Sequence, residues 1–381
     1  MNALSQTMPM GARHNPWLDL VRALAIVLVL LRHGEKGLAD AGRVGSGVFH
    51  TIMMNGWIGV DLFFVLSGYL ITAHLLRRPI SSQGLRRYFE MRALRILPAY
   101  YAVLFLIVIG AFPFYAVDPA GLPVRVAYHL LLLQDYLPSN INVAFWSLGV
   151  EEKFYVIAPL LVAGLAACRR PRFALAAIAT LLLISPLARS ATFAGQQDWT
   201  YLSFFQQLRS PFHMSLEPLL LGVAIAYAGH MGLLRQLPRR PFAFVAVFVC
   251  LMAYLGSHEF MATLGTFDAS LQPVLISLLC AALVLFAVGL DQEPMPLRSP
   301  AEPIARLSYC LYLVHFPLIP LALILAGAST WQFWLAYLSA TVLVSVALHL
   351  CVERPFLRIK DRIALQRDRR KPRPATVMAA E

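Results

Sequence analysis

Long apolar runs separated by short polar stretches dominate the chain. Ten runs can be read, at 16–34, 52–76, 97–116, 144–166, 173–189, 211–229, 242–257, 271–290, 307–327 and 331–352. A helix needs ~20 apolar residues to cross a bilayer core, and most of these runs approach that length. Lipid offers backbone groups no hydrogen-bond partners, so a spanning segment must satisfy its own, and continuous apolar runs of this length do so as helices. The expected fold is an all-α polytopic membrane protein with about ten transmembrane helices. A further apolar piece, 126–137, is too short to span; bracketed by Pro123 and Pro138, it is expected as an interfacial or re-entrant helix.

The polar stretches set the orientation. Most of the 32 lysines and arginines fall in alternate connecting segments, on the side shared by both chain ends. The excess of basic residues in cytoplasmic loops then places both termini in the cytoplasm. The expected organisation is a cytoplasmic N-terminal segment at 1–15, a membrane domain at 16–357 and a basic, disordered cytoplasmic tail at 358–381. The first run lacks a small-x-small cleavage site, and many runs follow it, so it is read as a retained helix.

Composition strengthens this picture. Hydrophobic residues make up 59% of the 381 and charged residues 14%, against about 25% charged in soluble domains. A net charge of +12 alone would suggest nucleic acid, but its concentration in short loops points to membrane topology. The five cysteines stand in or beside apolar runs without metal-like spacing and read as small buried hydrophobes. No metal site is assembled from the spacing.

Charges inside apolar runs are costly and direct attention to function. Arg22 and His33 stand eleven residues apart, close to three whole helical turns. They therefore share one face, roughly 16 Å apart along the axis. Asp61, in the second run, needs a partner, and a histidine ring is the natural one, because a carboxylate can hold its tautomer and stabilise the imidazolium. A structural salt bridge to Arg22 or Arg32 is the alternative. Ser147, Glu151 and Tyr155 follow at i, i+4 and i+8 and line one face, with Trp146 beside them. Arg92 and Arg95 share a face where a polar segment enters an apolar run; guanidinium forks there match phosphate oxygens. His315 precedes Pro317, which is expected to kink its helix. His213 with Glu217, and His349 with Glu353, are i, i+4 pairs that can satisfy each other. Ser67-Gly68 reads as a place of close helix packing.

These residues together resemble the acyltransferase-3 family of membrane proteins. The resemblance rests on Arg22-x10-His33, the stretch Gly59-Val60-Asp61-Leu62-Phe63-Phe64-Val65-Leu66-Ser67-Gly68-Tyr69, Arg92-x-x-Arg95 and Phe145-Trp146-Ser147-Leu148-x-x-Glu151. It extends to Leu307-Ser308-Tyr309-x-Leu311-Tyr312-Leu313-x-His315-x-Pro317 and Glu353-Arg354-Pro355-Phe356, and covers about 14–358. Cys310 stands where a serine is common in the family. The sixth run, with His213 and Glu217, departs from the family pattern, so no family role is carried to those two residues.

The resemblance implies an O-acyltransferase of the stand-alone type, without a fused SGNH domain, in the bacterial inner membrane. It implies no permanently bound cofactor. Acetyl-CoA or another acyl-CoA is the co-substrate, and a hydroxyl of a cell-envelope or secreted glycan is the acceptor. Arg22, Arg92 and Arg95 are expected to bind acyl-CoA. His33, Asp61 and Glu151 are expected to be catalytic, with His33 the general base and Asp61 orienting its ring. Trp146, Ser147, Tyr155 and His315 are candidate acceptor or oxyanion contacts. Direct transfer is preferred to an acyl-enzyme on Ser67. A macrolide-type small-molecule acceptor is the alternative within the class. A proton-coupled transporter or flippase is the alternative outside it, disfavoured because no internal repeat is visible.

Overall fold

The computed structural model describes residues 15–77, 81–137, 139–168, 170–235, 241–260, 264–291, 293–295 and 298–369. In these segments helices alternate with turns and loops, and no strand is present among the described residues. The first half contains α1 (Pro16–Asp40), α2 (Gly47–Met54), α3 (Gly59–Leu76), α4 (Ser82–Val108), α5 (Leu122–Leu130), α6 (Trp146–Ala167), α7 (Pro171–Leu181) and α8 (Ile184–Ala194). The second half contains α9 (Tyr201–Phe204), α10 (Leu216–His230), α11 (Pro241–Leu255), α12 (Thr266–Ser270), α13 (Gln272–Gly289), α14 (Arg298–Val314), α15 (Ile319–Ala326), α16 (Thr330–Leu348) and α17 (Arg354–Arg369).

Each of the ten apolar runs is helical. Fewer meet a strict test of length and apolarity for crossing a membrane. Gly47–Leu76, Ser82–Val108, Pro171–Ala194, Gln272–Gly289 and Thr330–Ala364 do, and Pro300–Val314 with Phe316–Ala326 makes a sixth if the bent pair is one span. Among the described residues the expected ten is therefore reduced to five or six by this measure. Asp19, Arg22 and Arg32 in α1, and Glu151, Glu152 and Lys153 in α6, set those helices outside it. α10 and α11 are shorter, at 15 residues each.

The charge-bearing α1 lies inside the bundle, packed on α3, α13, α14 and α15. Asn15 caps its start, accepting a hydrogen bond from the Trp17 backbone. The chain bends by 65° between α14 and α15, across Phe316-Pro317, as the proline predicts. His315 stands at that bend. The short apolar piece after Pro123 forms α5 and ends in turns before α6, in keeping with a segment that does not span.

One expectation about the chain's end is corrected. The basic segment from Arg358 was expected to be disordered, yet α17 continues through Arg369 and packs against α4. Its partly buried face is what composition alone does not reveal. Of the other terminal expectations, 1–14 and 370–381 lie outside the described residues.

The closest crossing joins α3 and α10. A Cβ on Gly68 would stand 2.1 Å from the Leu219 carbonyl oxygen, and one on Gly222 would stand 2.2 Å from that of Val65. Small residues that let backbones approach are a recurring means of membrane helix packing. Gly222→Val is expected to destabilise the protein by on the order of 1–3 kcal/mol through overpacking. Gly164→Ala, whose new Cβ meets nothing within 4 Å, serves as control. Thermal unfolding in detergent, followed by size exclusion, measures both; an unchanged midpoint for Gly222→Val would refute the close-crossing role.

Candidate active site

A cavity of about 510 Å³ opens between α1, α3, α4, α6, α14 and α17. Its walls gather six of the residues singled out from the sequence: Arg22, Arg92, Arg95, Ser147, Glu151 and Tyr155. The helical phases explain why. The stripe on α6 presents Ser147, Glu151 and Tyr155 along one face, and Arg92 and Arg95 sit one turn apart on α4.

The cationic wall is held in place by local contacts. Arg22 donates to Asp19 at 3.2 Å. The Arg92 guanidinium lies 5.0 Å from the Tyr155 ring centroid and 5.8 Å from that of Tyr88. These are cation–π distances. Among the described residues, no acid forms an ion pair with Arg92 or Arg95. On the opposite wall, Ser67 donates its hydroxyl to Glu151. A set of guanidinium groups beside a carboxylate and hydroxyls is suited to a polyanionic ligand with a reactive end.

The deep end of the cavity is closed by Ser147 and Tyr312. Their hydroxyls are 2.5 Å apart, and Tyr312 also lies within 2.6 Å of the Ala144 carbonyl oxygen. Behind Tyr312 stands His315, ring centroids 5.6 Å apart. His315 Nε2 lies 3.1 Å from His33 Nδ1. His33 and His315 thus form a pair at the end of the cavity rather than on its wall. The sequence singled out both residues but not their contact, and it did not single out Tyr312 for a role.

The hydrogen bonds fix the tautomers of this pair. His315 Nδ1 lies 2.7 Å from the Tyr312 carbonyl oxygen, which can only accept, so Nδ1 carries the proton. In the neutral ring His315 Nε2 is then an acceptor. His33 Nδ1 donates, both to it and to the Val29 carbonyl oxygen at 3.0 Å. His33 Nε2 is left with its lone pair.

Asp61 lies elsewhere. It was expected to meet the ring of His33, with Arg22 or Arg32 as the alternative partner. Instead its two oxygens accept from Arg209 at 2.9 and 2.7 Å. Arg209 lies between Trp57 and Trp146, at 4.8 and 5.3 Å from their ring centroids. Trp146 therefore packs against this ion pair, Phe64 and Phe205, and is not on the cavity wall. A π-helical turn at Phe205–Arg209 sets the arginine. Side-chain phase within one helix could not identify a partner 148 residues away in sequence.

Other paired groups were also mis-assigned or missed. Glu217 binds Arg189, not His213, and His213 Nδ1 is 2.9 Å from the Tyr136 hydroxyl. His50 bridges Glu35 at 2.5 Å and Glu259 at 3.0 Å. Lys153 points away from the cavity stripe and binds Asp135 at 2.5 Å. His349 and Glu353 do pair, at 2.6 Å, and Cys310 joins them through a 3.2 Å contact. The ligand atoms of this trio lie within 4.8 Å of one another. They have the chemistry of a zinc set, which the sequence spacing did not suggest. Both neighbours converge on one carboxylate oxygen, Glu353 Oε2, so the trio is explained as a hydrogen-bonded clasp between α14 and the turn before α17.

Comparison with known proteins adds the chemistry. A family model described as an acyltransferase domain matches residues 15–350. Peptidoglycan O-acetyltransferase OatA of Listeria monocytogenes is 25% identical over 380 residues, covering 92% of this chain and 57% of that protein. O-acetyltransferase OatA of Staphylococcus aureus is 25% identical over 336 residues, covering 81% of this chain and 51% of that protein. The chain thus spans about half the length of these curated relatives. No solved structure matches.

The Asp61–Arg209 pair is nearly sealed from solvent, its side chains 2% and 9% exposed. Asp61→Leu or Arg209→Leu alone strands a buried charge and is expected to cost about 3–5 kcal/mol. Asp61→Leu with Arg209→Leu together should cost less than the single changes summed. A double-mutant cycle on thermal stability measures the coupling; additive effects would overturn the pairing.

Proposed function

Because this chain belongs to the acyltransferase-3 family, we propose that it transfers an acyl group, most simply acetyl, from acyl-CoA to a hydroxyl of a cell-envelope or secreted glycan. The observation that supports this reading best is the shape of the site. One cavity joins a cationic wall to a closed end of hydroxyls, with a histidine pair behind it.

The donor enters from the basic side, which the distribution of arginine and lysine assigns to the cytoplasm, and the protein resides in the bacterial cytoplasmic membrane. Arg92 and Arg95 hold the CoA diphosphate, and Arg22 stands further along the path of the pantetheine arm. The thioester stops at Ser147 and Tyr312. The acceptor hydroxyl approaches from the opposite side and loses its proton to His33 Nε2 as it attacks the thioester carbonyl. The Ser147 and Tyr312 hydroxyls are the nearest donors for the tetrahedral oxyanion. The C–S bond then breaks, the ester leaves with the acceptor, and the His33 proton goes to the CoA thiolate.

In this scheme His315, not Asp61, fixes the His33 tautomer. Asp61 acts at a distance, by anchoring Arg209 and through it Trp146 at the head of α6. The OatA relatives are named for acetylating peptidoglycan or for O-acetylation, which makes a peptidoglycan-like glycan the first acceptor to try.

A second reading has its own observation. The Ser67 hydroxyl donates to Glu151 on the cavity wall, so Ser67 has a base to hand and could take the acyl group before the acceptor does. Intact mass after incubation with acetyl-CoA and no acceptor separates the two. A stable acetyl adduct lost in Ser67→Ala supports the acyl-enzyme.

Membranes containing the protein are expected to incorporate labelled acetyl from acetyl-CoA into glycan. His33→Ala should reduce that incorporation by about 10²–10⁴-fold, the usual worth of a general base; full activity would sink the base assignment. Arg92→Ala should weaken acetyl-CoA binding while leaving thermal stability near wild type. Unchanged affinity would return this arginine to a purely topological role.

A further inference from the structure

The donor path described above leaves the cavity's outermost lining unused. There Gly84, Leu85 and Arg87 at the start of α4 face Lys360 and Ala364 of α17. Lys360 is half-buried, and Arg95 and Arg92 lie within its electrostatic reach. Its acidic neighbour Asp361 is 3.9 Å away and 69% exposed, a pair that contributes little. A lysine brought to a wall already bearing guanidinium groups is repelled by them. A multiply charged anion in the space between would turn that repulsion into attraction on both sides.

The two kinds of cation suit different phosphates. Planar guanidinium forks match a diphosphate, and a compact ammonium on a flexible stem suits a phosphate monoester as a point charge. Acyl-CoA carries both, a diphosphate in the middle and a monoester on the ribose 3′ carbon at the end remote from the thioester. With the thioester at Ser147 and Tyr312, the nucleotide end lies by the start of α4. The monoester and the diphosphate hang from one ribose, so the groups that hold them must stand within reach of each other, as Lys360 does with Arg95 and Arg92.

We propose that Lys360 on α17 is a binding residue for the 3′-phosphate of the acyl-CoA nucleotide, so that the terminal helix forms one wall of the donor site and selects CoA over its dephosphorylated analogue. The proposal rests on the acyl-CoA reading of the cavity. It gives α17, expected from composition as a disordered tail, a recognition function.

The test compares binding of acetyl-CoA and acetyl-3′-dephospho-CoA to the purified full chain, by calorimetry in detergent. Wild type should favour acetyl-CoA. Lys360→Gln should weaken acetyl-CoA by about tenfold, the scale of one hydrogen bond to a charged group, and leave the dephospho compound unchanged. Lys360→Arg should recover most of the loss. An equal loss for both donors would mean that α17 merely supports the cavity, and unchanged affinity for both would remove Lys360 from the site; either overturns the proposal. If wild type binds neither donor, the acyl-CoA reading itself fails. If wild type binds both equally, only the 3′-phosphate assignment fails. Unchanged thermal midpoints exclude misfolding as the cause of any loss.

Discussion

A charge removed from water in a helix bundle costs several kcal/mol unless a partner neutralises it, and this constraint organises the molecule. Asp61 is met by Arg209, Glu217 by Arg189, Glu35 by His50 and Asp135 by Lys153. Each pair joins two different elements, with separations from 15 residues for Glu35 and His50 to 148 for Asp61 and Arg209. Three tie helices or their connecting turns to residues of other helices, so the charges also act as fasteners. The cavity breaks this pattern. Its wall holds Arg92 and Arg95 without an ion-paired acid among the described residues, and its one lining carboxylate, Glu151, is engaged by Ser67. Among the described residues, buried Arg32 also lacks an acid and is held by Met54 Sδ and the Tyr201 hydroxyl, but the cavity gathers several such cations on one wall.

Much of the site was legible because helical phase is legible. The stripe of Ser147, Glu151 and Tyr155 and the step from Arg92 to Arg95 follow from residue spacing alone, and these groups do share the cavity with Arg22. Phase states which residues look the same way, not what they look at. Asp61 was therefore given the wrong partner, and the His33–His315 contact was missed although both rings were noticed. Arg189 and Arg209 fall at the ends of apolar runs, where an arginine reads as a loop residue. Each is in fact buried by folding the run's end back into the bundle. Lys360 was hidden by its surroundings, since a basic segment with prolines has the composition of a disordered tail. The fold was read well as helices in series and less well as spans. α1 and α6 carry charges within their apolar runs, and those charges weaken their signature as membrane helices.

The pairing of two imidazoles differs in consequence from a carboxylate–imidazole pair. A buried carboxylate beside His33 would favour its protonated form and bring a second ionised group into the core. A neutral His315 aligns the ring through one lone pair and adds no charge. The position of His315 at the bend between α14 and α15 gives that lone pair its direction, because the broken helix leaves the Tyr312 carbonyl oxygen within 2.7 Å of His315 Nδ1.

The wall made by Ser147 and Tyr312 has a meaning beyond catalysis. A passage open from one face of a bilayer to the other would short-circuit the proton gradient and spill a soluble nucleotide from the cell. Two hydroxyls held on each other and on the Ala144 carbonyl oxygen stand across that path. Under the proposed transfer only a small acyl fragment would need to pass them, and the membrane would stay sealed.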